Sequence, residues 1–166
     1  MPHPLSTLGI AHTAISLVPL VAGLCSLALY RRIEPGSTAG RVYLAGLVVS
    51  VFTAFGLSST GGFNAGHALG ILALLAISGA LLAPRIALFG RAAEYLATLG
   101  LSFSFFLLLV PGINETLTRL PPSQPIATGP DSAIVKGTLG VWFLLFLAGY
   151  TLQALAIRAR RRAEAA

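Results

Sequence analysis

The chain has 166 residues, of which 55% are hydrophobic and 10% charged, and its formal net charge is +6. A soluble domain carries about 25% charged residues, so this chain lacks the polar surface to wet a globule of its size, and its apolar residues fall in long blocks that point to lipid as their solvent. The basic excess does not indicate nucleic acid, because the arginines stand at the ends of apolar blocks, where they act as topology signals.

The first apolar block, 8–30, is too long for a signal-peptide core and has no basic stretch before it, which predicts a retained helix. Pro19 lies inside it, a position tolerated in lipid when neighbours satisfy the freed carbonyl of Ile15. Cys25, the one cysteine, offers no disulfide framework and reads as a small core residue. Arg31 and Arg32 end the block, and Pro35-Gly36 turns the chain.

The second block, 42–59, leads to a turn at Thr60-Gly61-Gly62, and the third, 66–83, is stopped by Pro84. The stretch 84–95 carries Arg85, Arg91 and Glu94 and is expected at the interface. The fourth span is 96–113, with Pro111-Gly112 expected to kink or end it. An outward loop follows at 114–132, rich in proline, and the fifth span is 133–157 with a basic stop at 158–162.

The predicted fold is therefore all-α: a five-transmembrane-helix bundle forming a single domain over 1–166. The second and third blocks are near the lower limit of roughly 17–25 residues needed to cross, which leaves a four-span alternative with one of them re-entrant. Five spans place Arg31, Arg32, Arg41, Arg85, Arg91, Arg158, Arg160, Arg161 and Arg162 on one side and only Arg119 and Lys136 on the other. That bias predicts N-terminus out and C-terminus in. The preference for Arg over Lys, with abundant Ala and Leu, suggests a bacterial inner (cytoplasmic) membrane, where the sequon Asn114-Glu115-Thr116 has no meaning.

Helices in lipid associate through small residues and interhelical hydrogen bonds. Such stripes occur at His12, Ser16, Pro19, Gly23 and Ser26, at Gly46, Ser50 and Thr53, at Gly66 and Gly70 beside His67, at Thr98 and Ser102, and at Gly149 and Gln153. Trp142 and Tyr43 stand near block ends, as interfacial anchors do.

All three histidines, His3, His12 and His67, fall on the predicted outward side. His12 and His67 lie at similar depth on parallel helices, with Asn114, Glu115 and Arg119 at the same level and Asn64 and Thr60 in the nearby turn. Neutral imidazole is a common ligand of transition metals and of haem, so His12 and His67, with Glu115 as a third metal ligand, form the candidate cofactor site. The competing reading is structural: histidines in the headgroup region bonded to water or carbonyls, and Glu115 paired with Arg119 at the favourable i,i+4 spacing. A phosphate loop, CxxC, CxxCH and HExxH are absent, and no lysine lies mid-membrane.

Several segments resemble a family of small bacterial multi-pass integral membrane proteins of unknown function. They are Ala11-His12-Thr13, Gly40-Arg41-Val42-Tyr43, Gly61-Gly62-Phe63, Gly66-His67-Ala68-Leu69, and the run from Pro111-Gly112-Ile113-Asn114-Glu115 through Thr116-Leu117-Thr118-Arg119-Leu120-Pro121. The resemblance implies a fold and no activity. Similar sequences place a further histidine before the Pro-Gly step, where this chain has Leu108.

Three functions remain open: a non-enzymatic membrane protein serving as a subunit or accessory factor of a membrane complex, a haem- or metal-binding redox protein using His12 and His67, and a small solute or proton transporter. The partners expected are the bilayer and other membrane subunits.

Overall fold

A computed structural model describes residues 6–57 and 62–166. Five α-helices follow one another: α1 (Thr7–Tyr30), α2 (Thr38–Ala54), α3 (Ala65–Leu82), α4 (Ala93–Arg119) and α5 (Ala133–Ala163). Two 3-10 helices, Ala83–Arg85 and Ala87–Ala92, join α3 to α4. The expected calls on His3, Thr60 and Gly61 lie outside the described residues.

Four of these helices, α1, α3, α4 and α5, are long and apolar enough to cross a membrane, and α2 is apolar but has only 17 residues. Their surfaces match an apolar surrounding. Large apolar side chains such as Leu17, Val21, Leu29, Phe52, Leu75, Leu144 and Leu152 are exposed, and a helix apolar on all sides is stable only inside protein or bilayer.

The helix starts obey local chemistry. Ser6 and Ser37 cap α1 and α2 by accepting from the amides of Gly9 (3.0 Å) and Gly40 (2.9 Å). These caps satisfy orphan N–H groups of the first turn. The connection from α1 to α2 is tight: Arg31 takes a left-handed conformation, and Ser26 Oγ accepts from the Glu34 amide at 2.9 Å while donating to Arg32 O at 3.1 Å.

Neighbouring helices pack in chain order, α1 on α2, α2 on α3, α3 on α4 and α4 on α5, and α1 also meets α4. Glycine sets the closest approaches. A Cβ on Gly46 would fall 2.9 Å from Pro19 Cδ, and one on Gly100 would fall 2.7 Å from the Ala76 carbonyl. The core between α1, α2, α3 and α4 holds Tyr43, Leu47, Val51, Ala73, Ile77, Leu101 and Phe105. A second, aromatic seam of Phe103, Phe106, Trp142, Phe143 and Phe146 binds α5 to α4.

Several expectations need correction. The segment 114–119 is helical, because α4 continues through Pro111 and Gly112 to Arg119, and the loop is 120–132. In an apolar bundle a proline removes one hydrogen bond without ending the helix. Beyond it, Thr116 and Thr118 donate to the carbonyls of Gly112 and Asn114. The loop folds back onto the helix end, with the Ala127 amide donating to Leu117 O at 2.8 Å.

Likewise α2 starts at Thr38 rather than 42 and its helix ends at Ala54. The basic stretch 158–162 prolongs α5. Tyr43 is no interfacial anchor: it is 0% exposed, at the centre of the core. Trp142 is half-buried and donates its indole N–H to Phe106 O at 3.1 Å. Cys25 is exposed on the surface of α1. Of the expected small-residue contacts, Gly70 meets Val51, whereas Gly149 has open space beside it.

Candidate functional site

The bundle has two chemically different ends. One carries His12 and His67, and the other gathers arginines around Glu94.

At the first end, His12 bridges α1 and α2. Its Nδ1 lies 2.9 Å from Thr53 Oγ1, and Thr53 already donates its proton to Ser50 O at 2.9 Å. Nδ1 therefore carries the ring proton and donates. Ser16 Oγ donates to His12 O at 2.8 Å and lies 2.6 Å from Ser50 Oγ, which leaves Ser50 as the donor of that pair. Nε2 stands 3.4 Å from Ser16 Oγ, whose proton is thus engaged, and keeps its lone pair.

His67 has a different role. Asn64 caps α3 by accepting from the His67 amide at 3.1 Å, and His67 Nδ1 accepts in return from the Asn64 amide at 3.3 Å. This is a capping box with imidazole where Glu or Gln usually sits. The remaining nitrogen, Nε2, lies 3.1 Å from Ala54 O and donates to it, tying α3 to the end of α2. Phe55 and Phe63 flank the ring at centroid distances of 5.1 and 5.6 Å. Both ring nitrogens are thus in use, and a ligand role for His67 requires the bond to the Asn64 amide or to Ala54 O to break.

Glu115 pairs with Arg119 one turn along α4, and both are exposed enough to be wetted. Asn114 Oδ1 is buried and accepts no hydrogen bond among the described residues. No hydrogen bond or ion pair among the described residues joins His12 or His67 to Asn114, Glu115 or Arg119. Among the described residues there is likewise no cluster of three His, Cys, Asp or Glu side chains arranged to hold a metal.

The opposite end holds the denser electrostatic network, which sequence reasoning did not single out. Glu94, only 23% exposed at its side chain, opens α4 and receives Arg32 Nη1 at 3.0 Å, Arg161 Nη2 at 3.0 Å and Arg160. One carboxylate thereby joins the end of α1, the start of α4 and the end of α5. Gln153 adds a neutral link, accepting from Ser102 Oγ at 2.7 Å and donating to Arg31 O at 3.1 Å. A cleft of about 480 Å³ opens beside Glu94, between the 32–35 turn and the 3-10 connection.

All five acidic side chains are ion-paired: Glu34 with Arg32, Glu94 with three arginines, Glu115 with Arg119, Asp131 with Lys136 and Glu164 with Arg160. The arginines with no ion pair among the described residues are Arg31, Arg41, Arg85, Arg91, Arg158 and Arg162. Those six match the net charge of +6, and all lie toward the Glu94 end. The available sequence signal was Glu94 itself, a lone acid among basic residues at a block end.

Comparison with protein-family models, with curated proteins and with solved structures finds no match.

Proposed function

We propose that the chain is a non-enzymatic, five-span protein of a bacterial inner membrane, N-terminus out and C-terminus in, that serves as a subunit or accessory factor of a membrane complex. The orientation is supported by the six unpaired arginines at one end, which the positive-inside rule assigns to the cytoplasm. The fifth crossing is α2, whose Thr53 sits beside His12 and whose start at Gly40 packs on the Glu34 turn, so it reaches from one end of α1 to the other.

The observation that carries the complex-forming role is the outer face of α5. Among the described residues, the α-helix against which this helix mainly packs is α4. Its partnered side holds Trp142, Phe146, Tyr150 and Gln153. On the other side Val141, Leu144, Leu145, Leu152 and Leu155 are exposed, and Gly137 and Gly140, one turn apart, have nothing within 4 Å of a Cβ position. Glycine costs a helix about 1 kcal/mol relative to alanine. Bare glycines in a membrane helix are useful where another helix backbone comes close. The occupant this face suits is a transmembrane helix of a partner subunit.

A photoreactive residue at Leu144, read in intact membranes, tests the reading. We expect an adduct with a second membrane protein that is lost in Gly140→Ile and absent when the same probe stands at Leu75, an equally exposed site on α3. Lipid adducts alone, or equal protein adducts at both positions, contradict it.

A further inference from the structure

We propose a binding site for a phosphate-bearing anion, supplied by the headgroup of an anionic phospholipid, in the groove formed by Arg91, Tyr95, Arg158, Arg161, Arg162 and Ala165. The inference rests on insertion of the bundle in a membrane, and not on the docking of α5.

The groove has a volume of about 350 Å³, and four of its six lining residues are arginines with no carboxylate among them. They come from two elements: Arg91 from the second 3-10 helix, the others from the last turns of α5. Basic residues at a helix C-terminus are ordinary, since they complement its dipole. Arg91 stands in the last turn of a 3-10 helix of only six residues that is interrupted at Gly90, so it has little aligned dipole to complement. It faces Arg158 and Arg162, which themselves stand i,i+4 on one helix, a repulsive spacing for like charges. None of these three has an ion pair among the described residues.

Arg161 forms the fixed wall of the groove. Its Nη2 donates to Glu94 Oε2 at 3.0 Å, its Nη1 donates to Arg91 O at 2.6 Å, and its guanidinium lies 5.2 Å from the Tyr95 ring centroid. That arrangement ties the main chain of Arg91 to α5, so its side chain shares one groove with those of Arg158 and Arg162. Guanidinium groups match phosphate oxygens with two parallel N–H donors each. A phosphodiester relieves the repulsion between them and supplies the missing partner.

The position favours a lipid as the source. The groove lies where the apolar part of α5 ends, just after Ile157. Three residues before Arg91, Leu88 is 90% exposed on the same connection. A leucine presented that fully next to arginines at the end of an apolar bundle has the acyl boundary of the bilayer as its apolar neighbour. Basic pockets between membrane helices bind anionic headgroups in this way.

The test uses purified full-length protein equilibrated with an equimolar mixture of phosphatidylglycerol and phosphatidylethanolamine, with retained lipid counted by native mass spectrometry. We expect phosphatidylglycerol to be retained selectively, and Arg158→Gln/Arg162→Gln to lower that retention about tenfold. Arg41→Gln/Arg85→Gln, which removes equal charge outside the groove, should retain it. Equal loss in both pairs means a diffuse field and overturns the site, as does no loss in either. Should the first pair fail to elute as folded protein, Arg162→Gln alone gives the same readout at a highly exposed position. Titration with inorganic phosphate separates the sources: displacement of the lipid at millimolar phosphate assigns the groove to free phosphate and overturns the lipid assignment. Failure of the membrane reading is distinct, since the protein would then leave membranes in alkaline carbonate without detergent.

Discussion

The Tyr43 phenol donates to Ser104 Oγ at 2.6 Å, with both side chains sealed from the surface. The direction is fixed because the single Ser104 proton goes to Leu101 O at 2.8 Å. This bond joins α2 to α4 across the core, beside the approach of Gly23 to Phe105.

Removing either partner should not be equivalent. Tyr43→Phe loses one hydrogen bond and leaves Ser104 satisfied by Leu101 O, at a cost of about 0.6–1 kcal/mol. Ser104→Ala leaves a buried phenol with no acceptor and should cost about 1–3 kcal/mol. Reversible unfolding in mixed detergent micelles measures both, and a larger loss for Tyr43→Phe than for Ser104→Ala contradicts the assigned direction.

Glycines that set helix approach should separate from those that do not. Gly46→Ala drives a methyl against the rigid Pro19 ring and should destabilise the bundle by about 1–3 kcal/mol. Gly79→Ala, with open space around it, should be neutral or stabilising by up to about 1 kcal/mol. The same unfolding assay reads the difference.

His67 is expected to act through the helix start. His67→Ala removes the return bond of the capping box and the tie to Ala54 O, at about 1–2 kcal/mol. Amide exchange should quicken across the first turn of α3. Because both His67 nitrogens are engaged, protein purified from haem- and metal-supplied cells should show no Soret band and no stoichiometric metal. A band abolished by His67→Ala or His12→Ala would instead support the redox reading.

Glu94→Gln should loosen the arginine end. Arg160 is half-exposed, so its share is small, and the network as a whole is worth roughly 1 kcal/mol. Faster amide exchange at 158–162 and at the 3-10 connection, with α1–α2 packing unchanged, is the expected signature.

Much of this architecture is legible in the amino-acid pattern. The apolar blocks mark the helices to within a few residues at most ends, since length and turn signals suffice there. The stripe through Ser16, Pro19, Gly23 and Ser26 does face the bundle, because small residues on an otherwise bulky helix have few other uses. The misreadings share a cause. Pro111-Gly112 reads as a kink or a stop, with a loop from 114, under rules drawn from water-exposed helices, and Tyr43 reads as an anchor from its place near a block end. Neither rule contains the partner. Ser104 is 61 residues from Tyr43, and the arginines on Glu94 are 62 to 67 residues away. The histidines show the same limit: spacing placed His12 and His67 at one end, but only local bonding reveals that His12 bridges α1 and α2 while His67 caps α3 and ties it to the end of α2.

The account's central claim is a five-span topology with the arginine-rich end in the cytoplasm, and cysteine labelling reads it most directly. In a Cys25→Ser background, Pro122→Cys in the loop after α4 and Ala165→Cys beyond α5 are treated with a membrane-impermeant maleimide in intact cells. The account predicts that Pro122→Cys is labelled at once and Ala165→Cys only after permeabilisation. Labelling of Ala165→Cys in intact cells, with Pro122→Cys protected, contradicts it.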